Sequence, residues 1–257
     1  MPERVISPGM AQNDPKPDSI KKVHRSCVFT NLNTLEYTRA MDRQVAVQNA
    51  KINTPSEPDR LFFVEHPRVF TLGRRGGREN LMVSEAFLSS QNIKIVQTDR
   101  GGNITFHGPG QAVLYPVMDL NRARLGVADF VNGMEEIMKQ TVLEFGIAAD
   151  RDPKSHGLWV GRKKIGSVGI SVKKGISIHG MALNVCPDLT PFSWINPCGL
   201  ENVAMTSIAM EQKKFLTTPE QAHGDQTKPK LMDRVCHLFV HYFSKIFDIL
   251  VLGESHV

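Results

Sequence analysis

The chain has 257 residues, 41% of them hydrophobic and 22% charged, which is enough apolar material to bury one sizeable core and excludes a disordered chain. Thirty-one basic against 26 acidic side chains leave a net charge of +5. That balance favours acidic partners through long-range attraction, while the lack of an aromatic-interleaved basic stripe argues against nucleic acid.

Residues 1–22 contain Pro2, Pro8, Pro15 and Pro17 and no aromatic, so they predict a tail that cannot nucleate a core. Its prolines and mixed charges do not form a signal peptide. Residues 23–257 are then one domain. Thr34, ahead of Leu35, Met41 and Val45, predicts the cap of a helix that ends near Thr54-Pro55. LFFVE at 61–65 is apolar and too short for a helix, and reads as a buried strand, as do 93–97, 103–106 and 112–120. Asp129 is placed to cap a second helix, with Phe130, Met134, Ile137, Met138, Thr141 and Phe145 on one face and Gly146 at its exit. A hairpin follows, residues 164–172 and 176–185 joined by Lys173-Lys174-Gly175. Centred on Lys174, it sets Gly169 opposite His179 and Ser167 opposite Met181, within two residues of register. The last helix is expected over 231–250, with Val235, Leu238, Phe239, Tyr242, Phe243, Ile246 and Phe247 as its stripe. The class is α/β (α+β): a single domain with a mixed β-sheet packed with helices. No apolar run approaches the ~20 residues needed to cross a bilayer.

The cysteines are Cys27, Cys186, Cys198 and Cys236, with no CxxC pair, which argues against a disulfide scaffold and a metal site and suits the reduced thiols of a cytoplasmic protein. Chemistry concentrates in RGGNITFHGPGQ at 100–111. Its glycines are either two walls of a pocket or two tight turns of a hairpin. It is not a phosphate-binding loop, because neither glycine pattern of that kind is present. His107 and His179 each precede a glycine and either serve a pocket or satisfy a neighbouring carbonyl. Cys198, in WINPCGL, is either an exposed, oriented thiol or a small buried hydrophobe. A cation beside such a thiol raises its thiolate population, and Lys164 is the candidate, although composition favours a solvated lysine there. Cys27, Cys186 and Cys236 read as structural.

Four blocks in order over roughly 28–220, VEHPRVFTLGR, RGGNITFHGPGQAVLYPVMDL, KKIGSVGISVKKGISIHGMALNV and INPCGLENVAMTSI, resemble the lipoyl(octanoyl) transferase family, also called lipoate biosynthesis protein B. The resemblance implies a biotin/lipoate protein ligase-like fold around a tunnel for a medium acyl chain. It also implies an acyltransferase without cofactor or metal. Octanoyl-acyl carrier protein would be the donor, and the acceptors would be lipoyl domains of 2-oxoacid dehydrogenase complexes and the glycine cleavage H protein. By the same resemblance Cys198 carries the acyl group as a thioester and Lys164 assists it. Substrate-binding positions are Arg100, Gly101, Gly102, Asn103, Ile104, Thr105, Phe106, His107, Ser167, Val168, Gly169, Gly180, Met181 and Ala182. Phe106 stands where the family usually has tyrosine. The rivals are an ATP-dependent lipoate or biotin ligase of the same fold, which would need no cysteine, and a non-catalytic module that binds lipoyl domains or acyl carriers.

Overall fold

A computed structural model describes residues 25–152, 155–196, 203–213 and 228–253. The expected tail at 1–22 and Cys198 lie outside the described residues. The chain enters as β1 (Arg25–Thr34), a strand that the sequence reading did not anticipate. Thr34 is its last residue, paired with Glu65, and is therefore extended rather than a helix cap. The helix α1 (Tyr37–Asn53) starts after Glu36 with no side-chain cap. It stops at Asn53 because Thr54 is extended, as a residue before proline prefers. There follow β2 (Asp59–Glu65), β3 (Val69–Leu72), α2 (Glu85–Ser90), β4 (Lys94–Gln97), β5 (Ile104–His107), β6 (Gln111–Val117) and α3 (Leu120–Ala123). In α4 (Val127–Leu143) the N-cap is Gly126 and not Asp129. Asp129 lies inside the first turn, where its carboxylate meets the positive end of the helix dipole. The expected apolar face of α4 is buried, and Gly146 leaves the helix at φ 74°.

After β7 (Asp150–Asp152) and β8 (Ser155–Val160) comes the hairpin of β9 (Lys163–Lys173) and β10 (Ile176–Asn184). Its register pairs Gly169 with Gly180 and Ser167 with Ala182, one residue from the expected pairs and inside their tolerance. Lys174 and Gly175 both have positive φ, 50° and 83°, so a two-residue turn closes Lys173 onto Ile176 and its centre falls between them. Then come β11 (Ala204–Met205), α5 (Ile208–Lys213), α6 (Lys228–Phe247) and β12 (Ile249–Gly253). The last helix is thus shorter at its C-terminus than the expected 231–250. Asp248 turns left-handed at φ 48°, and the apolar run after it pairs as a parallel strand with β1.

Among the described residues the strands form two sheets. The larger runs β12-β1-β2-β6-β10-β9-β8-β7, with β11 added to β9, and the smaller runs β4-β3-β5. Contacts of β12 with β1, β1 with β2 and β11 with β9 are parallel, while the centre of the large sheet is antiparallel. Its central strands are buried on both faces, because alternate residues serve different layers. Leu61, Leu114 and Met181 pack under α4 and α6 with Ile137, Met138, Phe239 and Phe243. Phe62, Val113, Tyr115 and Ile178 pack under α1 with Tyr37 and Ala40. A third cluster, built on Phe70, Ile104, Phe106 and Phe192, belongs to the small sheet. No helix among the described residues is long and apolar enough to cross a membrane.

Phe243 is fully buried between α6 and the large sheet. Phe243→Ala is expected to cost about 3–5 kcal/mol, read as a lower midpoint in urea unfolding.

Candidate active site

The site lies where the two sheets meet, and the loop between β4 and β5 makes the joint. Arg100 is only 7% exposed. Its Nη2 donates to the carbonyl of Thr71 at 2.6 Å and to Thr71 Oγ1 at 2.8 Å, and its Nε donates to Oγ1 at 3.1 Å. Gly101 N–H reaches across to the carbonyl of Ile170 in β9 at 2.8 Å, while Arg74 N–H and Arg75 N–H donate to the carbonyls of Arg100 and Gly102. Glycine is required on both sides of this joint: a Cβ on Gly73 would stand 2.5 Å from the Gly102 carbonyl oxygen, and one on Gly169 would stand 2.9 Å from that of Gly101. Charge, donors and bare backbone together hold the loop against both sheets.

A cleft with about 510 Å³ of atom-free space, its open mouth included, lies along the joint. Arg100, Gly101, Gly102, Asn103, Ile104, Thr105 and His107 line one wall; Ser167, Val168 and Gly169 line a second; Gly180, Met181 and Ala182 line a third, and Lys164 joins them. Phe106 does not line it. Strand alternation turns its ring to the far side of β5, with ring centroids 5.4 Å from Phe70 and 5.5 Å from Phe192. A hydroxyl on that ring would therefore enter the small sheet's core and not the cleft. The two glycine clusters also part company. Gly101 and Gly102 are wall, whereas 108–110 form the tight turn that carries the chain from the small sheet to the large one, with Gly110 N–H donating to Glu65 Oε2.

Composition favoured a solvated Lys164, but it is 2% exposed. Its Nζ donates to the His156 carbonyl at 2.8 Å and lies 5.2 Å over the Trp159 ring. Gly157 makes room for it: at φ 125° a Cβ there would stand 2.7 Å from Lys164 Cε and 2.4 Å from the Gly166 carbonyl oxygen. Buried Glu135 of α4 holds that bend by accepting from Gly157 N–H at 2.7 Å. Burial pushes the thiols of Cys27 and Cys186 above their ordinary range and that of Cys236 up to about 12.

The reading from sequence missed Tyr37, Val113 and Tyr115, which also line the cleft. The one available signal was a hydroxyl-bearing aromatic inside an apolar strand at Tyr115. His107 and His179 line the cleft, His66 stands behind Tyr115, and burial lowers all three. Burial lowers His66 to about 4; its Nδ1–H donates to the Leu35 carbonyl at 2.7 Å and its Nε2 accepts from the Tyr115 hydroxyl at 2.8 Å. Burial, and then neighbouring His66, hold His107 well below the usual histidine range. His179, in β10 with φ 61°, is lowered by burial against the opposing pull of Asp99. Its Nε2–H donates to Asp99 Oδ1 at 2.7 Å and its Nδ1 faces the Tyr37 hydroxyl at 3.3 Å. Partial burial pushes Asp99 up, but bonds from His179 and Ser171 prevail and hold it below the ordinary carboxylate range.

Gly157→Ala is expected to shift Lys164 and cut turnover by tenfold or more at saturating substrate, with a lower melting temperature. A steady-state assay beside a thermal melt checks it. Because folded His66 binds its proton only near pH 4 while the unfolded chain binds it near ~6.5, the unfolded state gains protons first on acidification. Stability from this group is present above about pH 6.5 and is lost as pH falls toward 4, by up to about 1.4 kcal/mol per pH unit. Urea unfolding over that range should show the slope, reduced in His66→Gln.

A family model described as the lipoyl protein ligase A/B catalytic domain matches residues 36–223. The chain is similar to the octanoyltransferase of Desulfotalea psychrophila, 42% identical over 82% of this chain and 93% of that one. It is similar also to the octanoyltransferase of Hydrogenovibrio crunogenus, 46% identical over 72% and 83%. In fold it matches the bipartite lipoate protein ligase of Thermoplasma acidophilum, solved in a study with its E2 lipoyl domain, at TM-score 0.60 and 18% identity over 90% of this chain and 87% of that one. The chain belongs to the lipoyl protein ligase A/B catalytic-domain family, among its octanoyltransferases.

Proposed function

We propose that this protein moves an octanoyl group from the thioester of an acyl carrier protein to a lysine of lipoyl domains, by way of a thioester on Cys198. Lys164 takes the Cys198 thiol proton, and the thiolate attacks the donor's carbonyl carbon. The new C–S bond forms, the carrier's C–S bond breaks, and the carrier thiolate leaves with the proton from Lys164. The acceptor lysine, as a free amine, then attacks the Cys198 thioester; its surplus proton passes through Lys164 to the departing Cys198 sulfur, closing the cycle.

The observation that carries the reading is Lys164, a lysine buried to 2% exposure whose position forms part of the cleft wall. Such burial has a structural cost that a solvated strand-end lysine would avoid. Two further features support it. The described cysteines are held as thiols by burial, which leaves the nucleophile's role to Cys198. The cleft wall contains apolar groups such as Val113 and Ala182 beside the Tyr37 and Tyr115 rings, which suits a saturated chain. The lipoyl domain named with the archaeal neighbour is the precedent for the acceptor.

The test is intact mass after mixing with octanoyl-acyl carrier protein in the absence of ATP. The expected result is a hydroxylamine-labile gain of one octanoyl group, absent in Cys198→Ala and slowed at least 100-fold in Lys164→Ala. No adduct in the unaltered protein, even at millisecond quench, overturns the mechanism.

A further inference from the structure

A chain of amides runs from the cleft to the backbone of Lys164, every link donating in the same direction. His107 Nδ1 lies 2.6 Å from Gln111 Oε1. Gln111 Nε2 donates to Asn184 Oδ1 at 3.0 Å and to the Phe106 carbonyl at 3.2 Å, which fixes the amide so that its oxygen faces the imidazole. Asn184 Nδ2 donates to the Thr206 carbonyl at 3.0 Å. Thr206 N–H donates to the Lys164 carbonyl at 2.9 Å, and its hydroxyl donates to Glu211. Gln111, Asn184, Thr206 and Glu211 are all at most 4% exposed, so bulk solvent does not compete for these bonds.

Each orientation forces the next. A carbonyl at Thr206 can only accept, so Asn184 must present its NH₂ there and its oxygen to Gln111. Gln111 must then present its oxygen to His107, whose Nδ1 must carry the proton. His107 is thereby the Nδ1–H tautomer, with an unprotonated Nε2. The same links tie β11, which lies beside Lys164, to β6 and β10.

We infer that Asn184 and Gln111 are positioning residues for the transfer: together they hold His107 in one neutral tautomer at the cleft and lock the Lys164 strand to the acyl-binding wall. The gain for the reaction is a fixed distance between the assisting lysine and the wall that seats the chain. The kinetic arm rests on the proposed transfer; the spectroscopic arm does not.

Asn184→Asp tests it. A protonated aspartic acid reproduces both links, its carbonyl accepting from Gln111 and its O–H donating to Thr206. The carboxylate sets negative oxygen against the Thr206 carbonyl; His107, Glu211 and Lys164 are the titratable residues joined to it through these bonds, and Tyr115, Lys163 and His179 are further titratable groups on the strands around it. The variant's octanoyl transfer rate is expected to fall tenfold or more at pH 8 and to recover toward the unaltered protein's as pH is lowered to 6, with KM for the carrier changed less than threefold. In ¹⁵N imidazole spectra the unaltered protein should show His107 protonated at Nδ1, and Asn184→Leu should show a mixture of tautomers. A pH-independent loss, or an Nε2–H signal in the unaltered protein, overturns the inference. Loss of transfer in the unaltered protein with Nδ1–H retained would instead count against the proposed function alone and leave the tautomer lock standing.

Discussion

Everything in the site depends on how Arg100 is held. A buried guanidinium is tolerated only if its donors are met, and Thr71 meets three of these bonds from inside the small sheet while the next residue's N–H bonds Ile170 of the large sheet. One loop therefore sets the separation of two sheets that share little other contact at this point. The glycines opposite it, Gly73 and Gly169, are there because a Cβ would push the loop away. The cleft is the space that this strap leaves open.

Within the cleft the polar side chains are mostly satisfied from behind. The Tyr115 hydroxyl donates a hydrogen bond to His66, His107 donates one to Gln111, and His179 is held between Tyr37 and Asp99. Burial keeps the three histidines neutral. The wall then offers aromatic faces and spent hydroxyls, an environment in which a saturated chain loses water without stranding a donor. Rigidity follows as well, because each ring is oriented by a partner on another element.

Lys164 shows how position is obtained at a distance from the reacting atoms. Its Nζ has a place only because Glu135, on the helix behind the sheet, fixes the bend at Gly157 whose neighbour's carbonyl accepts from it. Nothing local in GRKK predicts this. A lysine between charged neighbours at a strand's start reads as solvated, and only the packing of α4 over β8 and β9 reverses that reading.

The sequence by itself determined the local elements with strong periodicity, α4, the β9–β10 hairpin and most of α6, because hydrophobic spacing reports directly which face is buried. It also determined which segments carry the family's blocks, and the second and third of those blocks supply most of the cleft's lining. What only the tertiary structure decided concerns relations between segments distant in the chain. β1 and β12 are strands because they pair with each other, and Thr34 cannot cap a helix while it pairs with Glu65. Phe106 turns into the small sheet because strand alternation puts it there. Tyr37, Tyr115 and the tautomers of the histidines are set by partners tens of residues away. Spacing encodes a residue's own face; it does not encode the group that meets it.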